Sequence, residues 1–519
     1  MKKSKPYKYP ETDCLTGQQI GQKKLLQPGT DYPFLGSTSA DSINCVLVGH
    51  EYVHEVQVIA QVFFANARFV FSNEVSADGF SAVGRLSNTT CTGELYQNGK
   101  IMACHTLDSP SKDVKAIKRT LMLALFYALK EATNQPVPWG ALTGVRPAKQ
   151  VRIWLEEGDS KEAVADRLSK IYKCRDDKIQ LALEVALAEI KLMSPSEGRE
   201  NKYPKSFGTV ASFDFKKKAA LYVSIPFCSS RCLYCSFVSS QKAGADAHKR
   251  YLTALAKECE AIAATGQTFN AVYIGGGTPT ALSEKDLAAL LEIVRPFVKN
   301  TEYTVEAGRP DSITREKLRI LKAEGVNRIA INPQTLNNDT LHLIGRRHTA
   351  KDFYQAYETA KQEGFININA DVIVGLPGEG VKDILYTMEG LKKLALPHIT
   401  VHTLAIKRAS RLNECRANYT IGNFETVDTM LSVTSEVCRS LGLYPYYMYR
   451  QKNMVGHFEN VGYCLPGCES LYNVAMMAET QTVLAVGAGG VTKIVDGTRI
   501  ERTFNSKNVE IYIERMKNA

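Results

Sequence analysis

The chain has 519 residues, more than one ordinary domain holds, so two or three domains are expected. Its 44% hydrophobic and 23% charged content is that of a soluble globular protein, and the longest strongly apolar run, Leu121 to Leu129, is too short to span a membrane. A net charge of +10 suits an anionic substrate or a solvated basic surface equally, no long basic run points to nucleic acid, and thirteen cysteines without an export signal point to a reducing, cytoplasmic setting.

Residues 1 to about 40 have weak periodicity and read as an irregular lead-in. Strand-like stretches follow at Ile43–Val48, Val56–Phe64 and Phe80–Leu86, the second of which fits a helix equally well. From Asp113 to Ala132 the pattern is helical: Ile117, Leu121, Leu125 and Ala128 share a face, and Ser111 or Asp113 can cap. Trp139 to Pro147 reads as a loop, where Arg146 is either an anion contact or a surface arginine beside a turn. Amphipathic helices are expected over about 160–172 and 176–193, and the polar run from Ser194 to Pro204 marks a boundary. This gives an N-terminal α+β domain of unnamed role over 1–195 and a linker over 196–218.

From 219 to about 405, strands and helices alternate. The strands expected are Leu221–Ile225, Ala271–Gly275, Tyr303–Ala307, Arg328–Asn332, Asn369–Val374 and Ile399–Leu404, with helices over 244–264, 283–297, 314–324, 351–363 and 381–395. Such alternation implies parallel pairing through right-handed crossovers. Six strands are too few for an eight-fold barrel, so the fold class is α/β, a partial (β/α)6 TIM-like barrel, with its chemistry at the C-terminal ends of the strands. Residues 406–519 form a C-terminal extension, expected to be mostly helical and to cover a substrate.

The chemistry-bearing residues follow those strand ends. Cys228, Cys232 and Cys235 follow the first strand with spacing C-x3-C-x2-C. Three thiolates on one loop can hold three irons of a cubane cluster and leave the fourth open; the alternatives are a zinc site or three unrelated thiols. Gly275-Gly276-Gly277-Thr278 after the second strand allows close backbone approach to a ligand. Glu306 ends the third strand, an odd place for a carboxylate unless it serves a ligand or a salt bridge. Arg346 and Arg347 offer a guanidinium fork for a carboxylate. Gly375 to Gly380 has P-loop glycine spacing, but Val381 stands where lysine is needed, so nucleotide hydrolysis is rejected. Lys407 and Arg408, with Arg411, could grip substrate carboxylates or be surface charge. Cys464 and Cys468 are two too few for a second cluster.

The cysteine loop resembles the radical S-adenosylmethionine (SAM) signature. The string Tyr222-Val-Ser-Ile-Pro-Phe-Cys228 is similar to the oxygen-independent coproporphyrinogen III oxidases and their relatives. Trp139–Lys149, Tyr446–Asn453, Glu469–Asn473 and Val486–Lys493 resemble the HemZ-like branch of that family. The resemblance covers about 110 to 495. It implies a radical SAM barrel carrying a 4Fe–4S cluster on Cys228, Cys232 and Cys235. It further implies SAM contacts from Gly276, Gly277, Thr278, Glu306, Gln334, Arg346 and Asp371, with Tyr234 near the adenine and Tyr222 facing the cluster. The implied reaction is decarboxylation of coproporphyrinogen III to protoporphyrinogen IX in haem biosynthesis, without oxygen, fed by a donor such as flavodoxin or ferredoxin. Alternatives are a haem chaperone of the same fold, or a radical SAM enzyme acting on another tetrapyrrole. Phe237 and Ser224 stand where the best-studied members carry a further cysteine and a histidine, which weakens the substrate assignment more than the cofactor assignment. A zinc-dependent binding module ranks last.

Overall fold

The computed structural model describes residues 41–64, 67–193, 219–237, 240, 244–497 and 499–518. The expected lead-in and the 196–218 linker lie outside them. The chain divides into two compact units, one of residues up to 144 together with 153–180, the other of residues 145–152 together with 181–519.

In the first unit, β1 (Ser42–Val48), β2 (Arg68–Ser72), β3 (Phe80–Ser87), β4 (Thr90–Gln97) and β5 (Lys100–Asp108) form a mixed sheet in the order β2-β1-β3-β4-β5. The ambiguous run around Val56 is a helix, α1 (Val53–Phe63), burying Val56, Ile59, Ala60 and Phe63 on one side. α2 (Val114–Thr133) starts at Asp113, whose side chain accepts from the Ala116 amide. It packs so close to β4 that a Cβ at Gly93 would lie 2.2 Å from the Leu125 backbone.

Next in sequence come α3 (Pro147–Glu156), α4 (Lys161–Lys170) and α5 (Asp176–Met193). α3 is a helix that the reading of Trp139 to Pro147 as a loop does not include, and Pro147 is the residue that opens it.

The second unit is built on an eleven-stranded sheet. Its centre is six parallel strands in sequence order, β6 (Ala219–Ile225), β7 (Phe269–Gly276), β8 (Glu302–Gly308), β9 (Arg328–Ile331), β10 (Asn367–Val374) and β11 (His398–Thr403). The helices between them are α6 (Ala245–Ala264), α7 (Glu284–Val294), α8 (Arg315–Ala323), α9 (Asn338–Leu343), α10 (Ala350–Gln362) and α11 (Val381–Lys392). Ser283, Thr314 and Thr349 cap α7, α8 and α10. This is the α/β alternation expected of a partial barrel, and among the described residues the strand order does not close on itself.

The region after β11 corrects the mostly helical expectation. Beside α12 (Arg411–Glu414), α13 (Phe424–Ser440), α14 (Leu471–Ala478) and α15 (Val509–Lys517) it carries five strands. These are β12 (Tyr444–Tyr449), β13 (Asn460–Cys464), β14 (Val483–Val486), β15 (Val491–Asp496) and β16 (Arg499–Phe504). They extend both edges of the six: β13 pairs antiparallel with β11, and β14 pairs parallel with β6. α14 packs its Leu471, Tyr472 and Ala475 against Ala220 and Ala271, at the starts of β6 and β7.

Candidate functional site

The cysteine loop leaves β6 at Pro226 and is held by backbone. The Cys228 amide donates to the Ser240 carbonyl at 3.2 Å, Leu233 to Ile344 at 2.9 Å, and Cys235 to Cys232 at 3.2 Å. The sulfurs are partnered as well. Cys228 Sγ lies 3.2 Å from Thr278 Oγ1, and Arg309 Nη1 donates toward Cys232 Sγ at 3.6 Å and to the Ser230 carbonyl at 3.3 Å. Arg309 is buried and anchored on Asp311. Burial, then the Cys232 and Cys228 sulfurs, push the Cys235 thiol up, so the three thiols sit close enough to repel as thiolates. A bound cation centre relieves that repulsion, and this donor set fits a cluster with three protein ligands.

The glycine loop is shaped by the cysteine loop itself. The Gly277 and Thr278 amides donate to the Ile225 and Phe227 carbonyls, each at 2.7 Å, so these two donors are already engaged. A Cβ at Gly277 would lie 2.2 Å from the Phe227 carbonyl oxygen, and Gly276 has φ +108°. Phe237 rests its ring 3.1 Å from where a Gly276 Cβ would stand, and Ser224 donates to the Ala488 carbonyl at 2.7 Å.

Glu306, Asp371 and Arg346 are brought together. Burial and then the Asp371 charge push the Glu306 carboxyl up to about 8, against the opposing pull of the Gly276 amide, the Tyr273 hydroxyl and Arg346. Burial raises Asp371 too, but His402, Asn369 and Arg346 outweigh it and hold that carboxyl below its ordinary range. Asn369 Nδ2 donates to Asp371 Oδ1 at 2.7 Å, and His402 Nε2 lies 3.6 Å from Oδ2. Glu306 is thus the protonated member and Asp371 the ionised member of the pair at neutral pH.

Of the adjacent arginines, Arg346 is buried and Arg347 exposed. Arg346 donates to the Asn332 carbonyl at 3.0 Å and to the Tyr234 hydroxyl at 3.3 Å, which places Tyr234 over it. Its Nε has no partner among the described residues, and neither has Gln334 Oε1. Gln334 has φ +67°, a strained conformation for a non-glycine, and its amide donates to the Asp371 carbonyl at 2.9 Å. Two orphaned buried polar atoms beside the pair mark unmet hydrogen-bonding capacity where a polar ligand fits.

Tyr222 lies within a set of three stacked rings, 6.2 Å from Tyr273 and 6.0 Å from Tyr472, with Tyr273 and Tyr472 4.5 Å apart. Tyr222 and Tyr273 are register partners on β6 and β7. Lys407, Arg408 and Arg411 are exposed, and Lys407 is near enough to Cys235 to feel its charge. Arg146 pairs with Glu479. Cys464 and Cys468 are both buried, and among the described residues no three His, Cys, Asp or Glu side chains gather around a single-ion site. Sequence reasoning passed over Tyr273, Tyr472, His402, Asn369 and Arg309. Tyr273 and His402 carried a faint signal, each sitting on the same strand face as a predicted residue of its neighbour.

Residues 222–391 match the model of the radical SAM superfamily. The chain is 36% identical over 482 residues to the oxygen-independent coproporphyrinogen-III oxidase-like protein HemZ of Bacillus subtilis, covering 89% of this chain and 93% of that protein. It is 39% identical over 196 residues to the heme chaperone HemW of Bacillus subtilis, covering 36% of this chain and 50% of that one. Among solved structures, the coproporphyrinogen III oxidase HemN from Escherichia coli superposes with a TM-score of 0.46 at 21% identity, over 64% of this chain and 77% of that one.

Proposed function

The chain belongs to the radical SAM superfamily, in the family of the coproporphyrinogen-III oxidase-like protein HemZ, and on that premise we propose that it decarboxylates the propionates of coproporphyrinogen III without oxygen. The superfamily works with a 4Fe–4S cluster and SAM. Together, when bound, they supply the one-electron chemistry that yields a 5′-deoxyadenosyl radical able to take hydrogen from an unactivated carbon. The observation that carries the reading is the convergence at the strand ends of three thiols, a protonated and an ionised carboxyl, and a buried arginine with an orphaned Nε.

In this reading Cys228, Cys232 and Cys235 hold the cluster. Gly276, Gly277 and Thr278 shape the wall beside the methionine end of SAM. Glu306 offers its carbonyl oxygen, or its carboxylate once a cationic amine arrives and lowers its pKa. Asp371, oriented by Asn369 and His402, accepts from ribose hydroxyls. Arg346 and Gln334 donate to and accept from the nucleoside or its carboxylate, and Tyr234 covers the adenine. Tyr222, with Tyr273 and Tyr472, presents an aromatic wall against which the pyrrole rings of the tetrapyrrole pack. With the cofactors bound, hydrogen abstraction at the β-carbon of each of two propionates, followed by loss of carbon dioxide and transfer of one electron to an external one-electron acceptor, would leave a vinyl group. A small redox protein such as flavodoxin or ferredoxin supplies the initiating electrons.

Phe237 in place of a further cysteine, and the relatedness to HemW over 196 residues, favour a second reading as a haem-trafficking protein. Anaerobic incubation of reduced, iron-reconstituted protein with SAM and coproporphyrinogen III separates the two. 5′-Deoxyadenosine together with protoporphyrinogen IX is the expected result. Nucleoside alone assigns the radical chemistry to another substrate. Stoichiometric haem binding with neither product moves the chaperone reading ahead.

A further inference from the structure

A second charged cluster lies at the other end of the strands. β14 begins at Val483 beside Ala220, near the start of β6, whereas the cysteine loop follows Ile225 at its end. Four residues before Val483, Glu479 closes α14 as a left-handed cap with φ +52°. Its side chain is only 5% exposed, yet four cations reach it. Arg146 Nη1 and Arg502 Nη2 lie 2.8 and 2.9 Å from Oε1, Lys149 Nζ lies 2.8 Å from Oε2, and Lys493 Nζ lies 3.6 Å from Oε1. A fifth cation, Arg152, stands beside them, with Nε 3.3 Å from the Glu189 carboxylate and Nη2 donating to the Ala478 carbonyl at 3.0 Å.

Among the described residues, four cations therefore share the Glu479 carboxylate, beside the Arg152–Glu189 pair. The carbonyl end of α14 explains only part of the imbalance. Lys493 donates to the Met476 carbonyl at 2.7 Å, but a helix terminus carries about half a negative charge, which leaves an excess of more than two. The stress is visible in Lys493, whose ammonium burial, Arg146 and Arg502 push down to about 8. Arg146 Nε is buried and donates to nothing among the described residues. Uncompensated buried like charge is costly, and an arriving anion removes that cost. The cluster is open to one: the side chains of Arg146, Lys149 and Arg502 are 22, 27 and 43% exposed, with Lys493 forming the floor.

We propose that Arg146, Lys149, Lys493 and Arg502, gathered on Glu479, form a binding site for a phosphate group, separate from the mouth that holds the cysteines. The charge excess selects the chemistry. A carboxylate brings one negative charge, whereas a phosphate monoester or inorganic phosphate brings about −1.5 to −2 and fits guanidinium forks. The site makes no use of the cluster, so its fate is independent of the radical reading.

The test is calorimetric titration of the full-length, cluster-loaded protein with inorganic phosphate at constant ionic strength, with acetate as control. Saturable one-site binding of phosphate, and none of acetate, is expected. Arg502→Met and Lys149→Met each remove a partly exposed cation. Each should weaken phosphate by about tenfold, the worth of one charge-assisted hydrogen bond, while circular dichroism and 5′-deoxyadenosine formation stay unchanged. Adenosine monophosphate binding tighter than phosphate would identify the occupant as a nucleotide ester, and equal binding would identify free phosphate; either supports the site. Absence of saturable phosphate binding, or binding unchanged in both variants, overturns it.

Discussion

Glu302 and Glu306 share a strand and a strand face, since side chains four apart on a strand point the same way. Their surroundings differ completely. Glu302, at the start of β8, accepts from Ser470 Oγ at 2.9 Å, from the Leu471 amide at 2.8 Å and from the Tyr472 amide at 3.2 Å, and lies 3.6 Å from Arg328. Arg328 in turn reaches His398 Nε2 at 2.6 Å and the Cys468 and Glu469 carbonyls at 2.9 and 3.0 Å. Glu306, at the strand's other end, faces another carboxylate, and beside that pair lie polar atoms with no partner. His398 and His402 repeat the contrast on β11, the first locked to Arg328 and the second paired with Asp371. The Glu302 carboxylate is met by protein groups, whereas beside Glu306 and Asp371 the Arg346 Nε and Gln334 Oε1 have no partner among the described residues. This is the division of labour between stability and chemistry expected of parallel barrel strands.

Mutations sharpen that contrast. Cys228→Ala, Cys232→Ala or Cys235→Ala should each abolish SAM cleavage while leaving the urea unfolding midpoint of the cluster-free protein in place. 5′-Deoxyadenosine formed at the wild-type rate by any of the three would sink the three-cysteine assignment. Glu302→Ala should do the reverse. It strips a helix cap and leaves Arg328 short of its carboxylate, at a stability cost of about 3 kcal/mol, read from chemical denaturation. A neutral outcome would break the claim that this end is structural. Arg309→Met removes a guanidinium that donates toward the Cys232 sulfur and braces the Ser230 carbonyl. Iron content per chain after reconstitution should fall, and the cluster that remains should have a more negative midpoint potential by EPR titration; Arg309→Lys should restore part of the potential but not the brace.

Glu306→Gln gives the most diagnostic effect. The folded protein holds this proton up to about pH 8, whereas an unfolded glutamic acid releases it near its ordinary pKa of about 4.3. Between those values the folded state binds more protons than the unfolded, so stability falls as pH rises through that window. The glutamine variant cannot ionise. Without SAM it should lose that part of the decline and gain on the wild type toward pH 8, while SAM binding weakens. Parallel pH–stability curves for the two proteins would show that Glu306 is not held protonated.

The six parallel strands were legible because each is a short apolar run bounded by helical periodicity, and their ends fall within about two residues of the expected ones. The strands of the C-terminal region were not. β12 reads Tyr-Pro-Tyr-Tyr-Met-Tyr without alternation, and β13 and β14 are five and four residues long. What makes them strands is pairing with β11 and β6, and β6 lies some 260 residues away. Two missed hairpins did carry a mark: Asn98-Gly99 between β4 and β5, both residues with positive φ, and Asp496-Gly497 before β16. In the site, strand-end carboxylates such as Glu306 and Asp371 announce themselves, since nothing in apolar packing asks for them. Tyr472 and Arg309 act across long separations or from a turn, so only the fold reveals what they touch.

β14 also sets the order of events during synthesis. Until residues 483–486 leave the ribosome, β6 shows an open edge, directly before the cysteine loop. Translation runs at about 5–20 residues per second, so that edge waits on the order of tens of seconds, exposed to pairing with other chains. Glu302 likewise waits some 170 residues for the helix start it caps. The nascent chain therefore passes through a stage with its three cysteine thiols made and its sheet unfinished, so chaperone cover at that stage would protect the yield of folded protein.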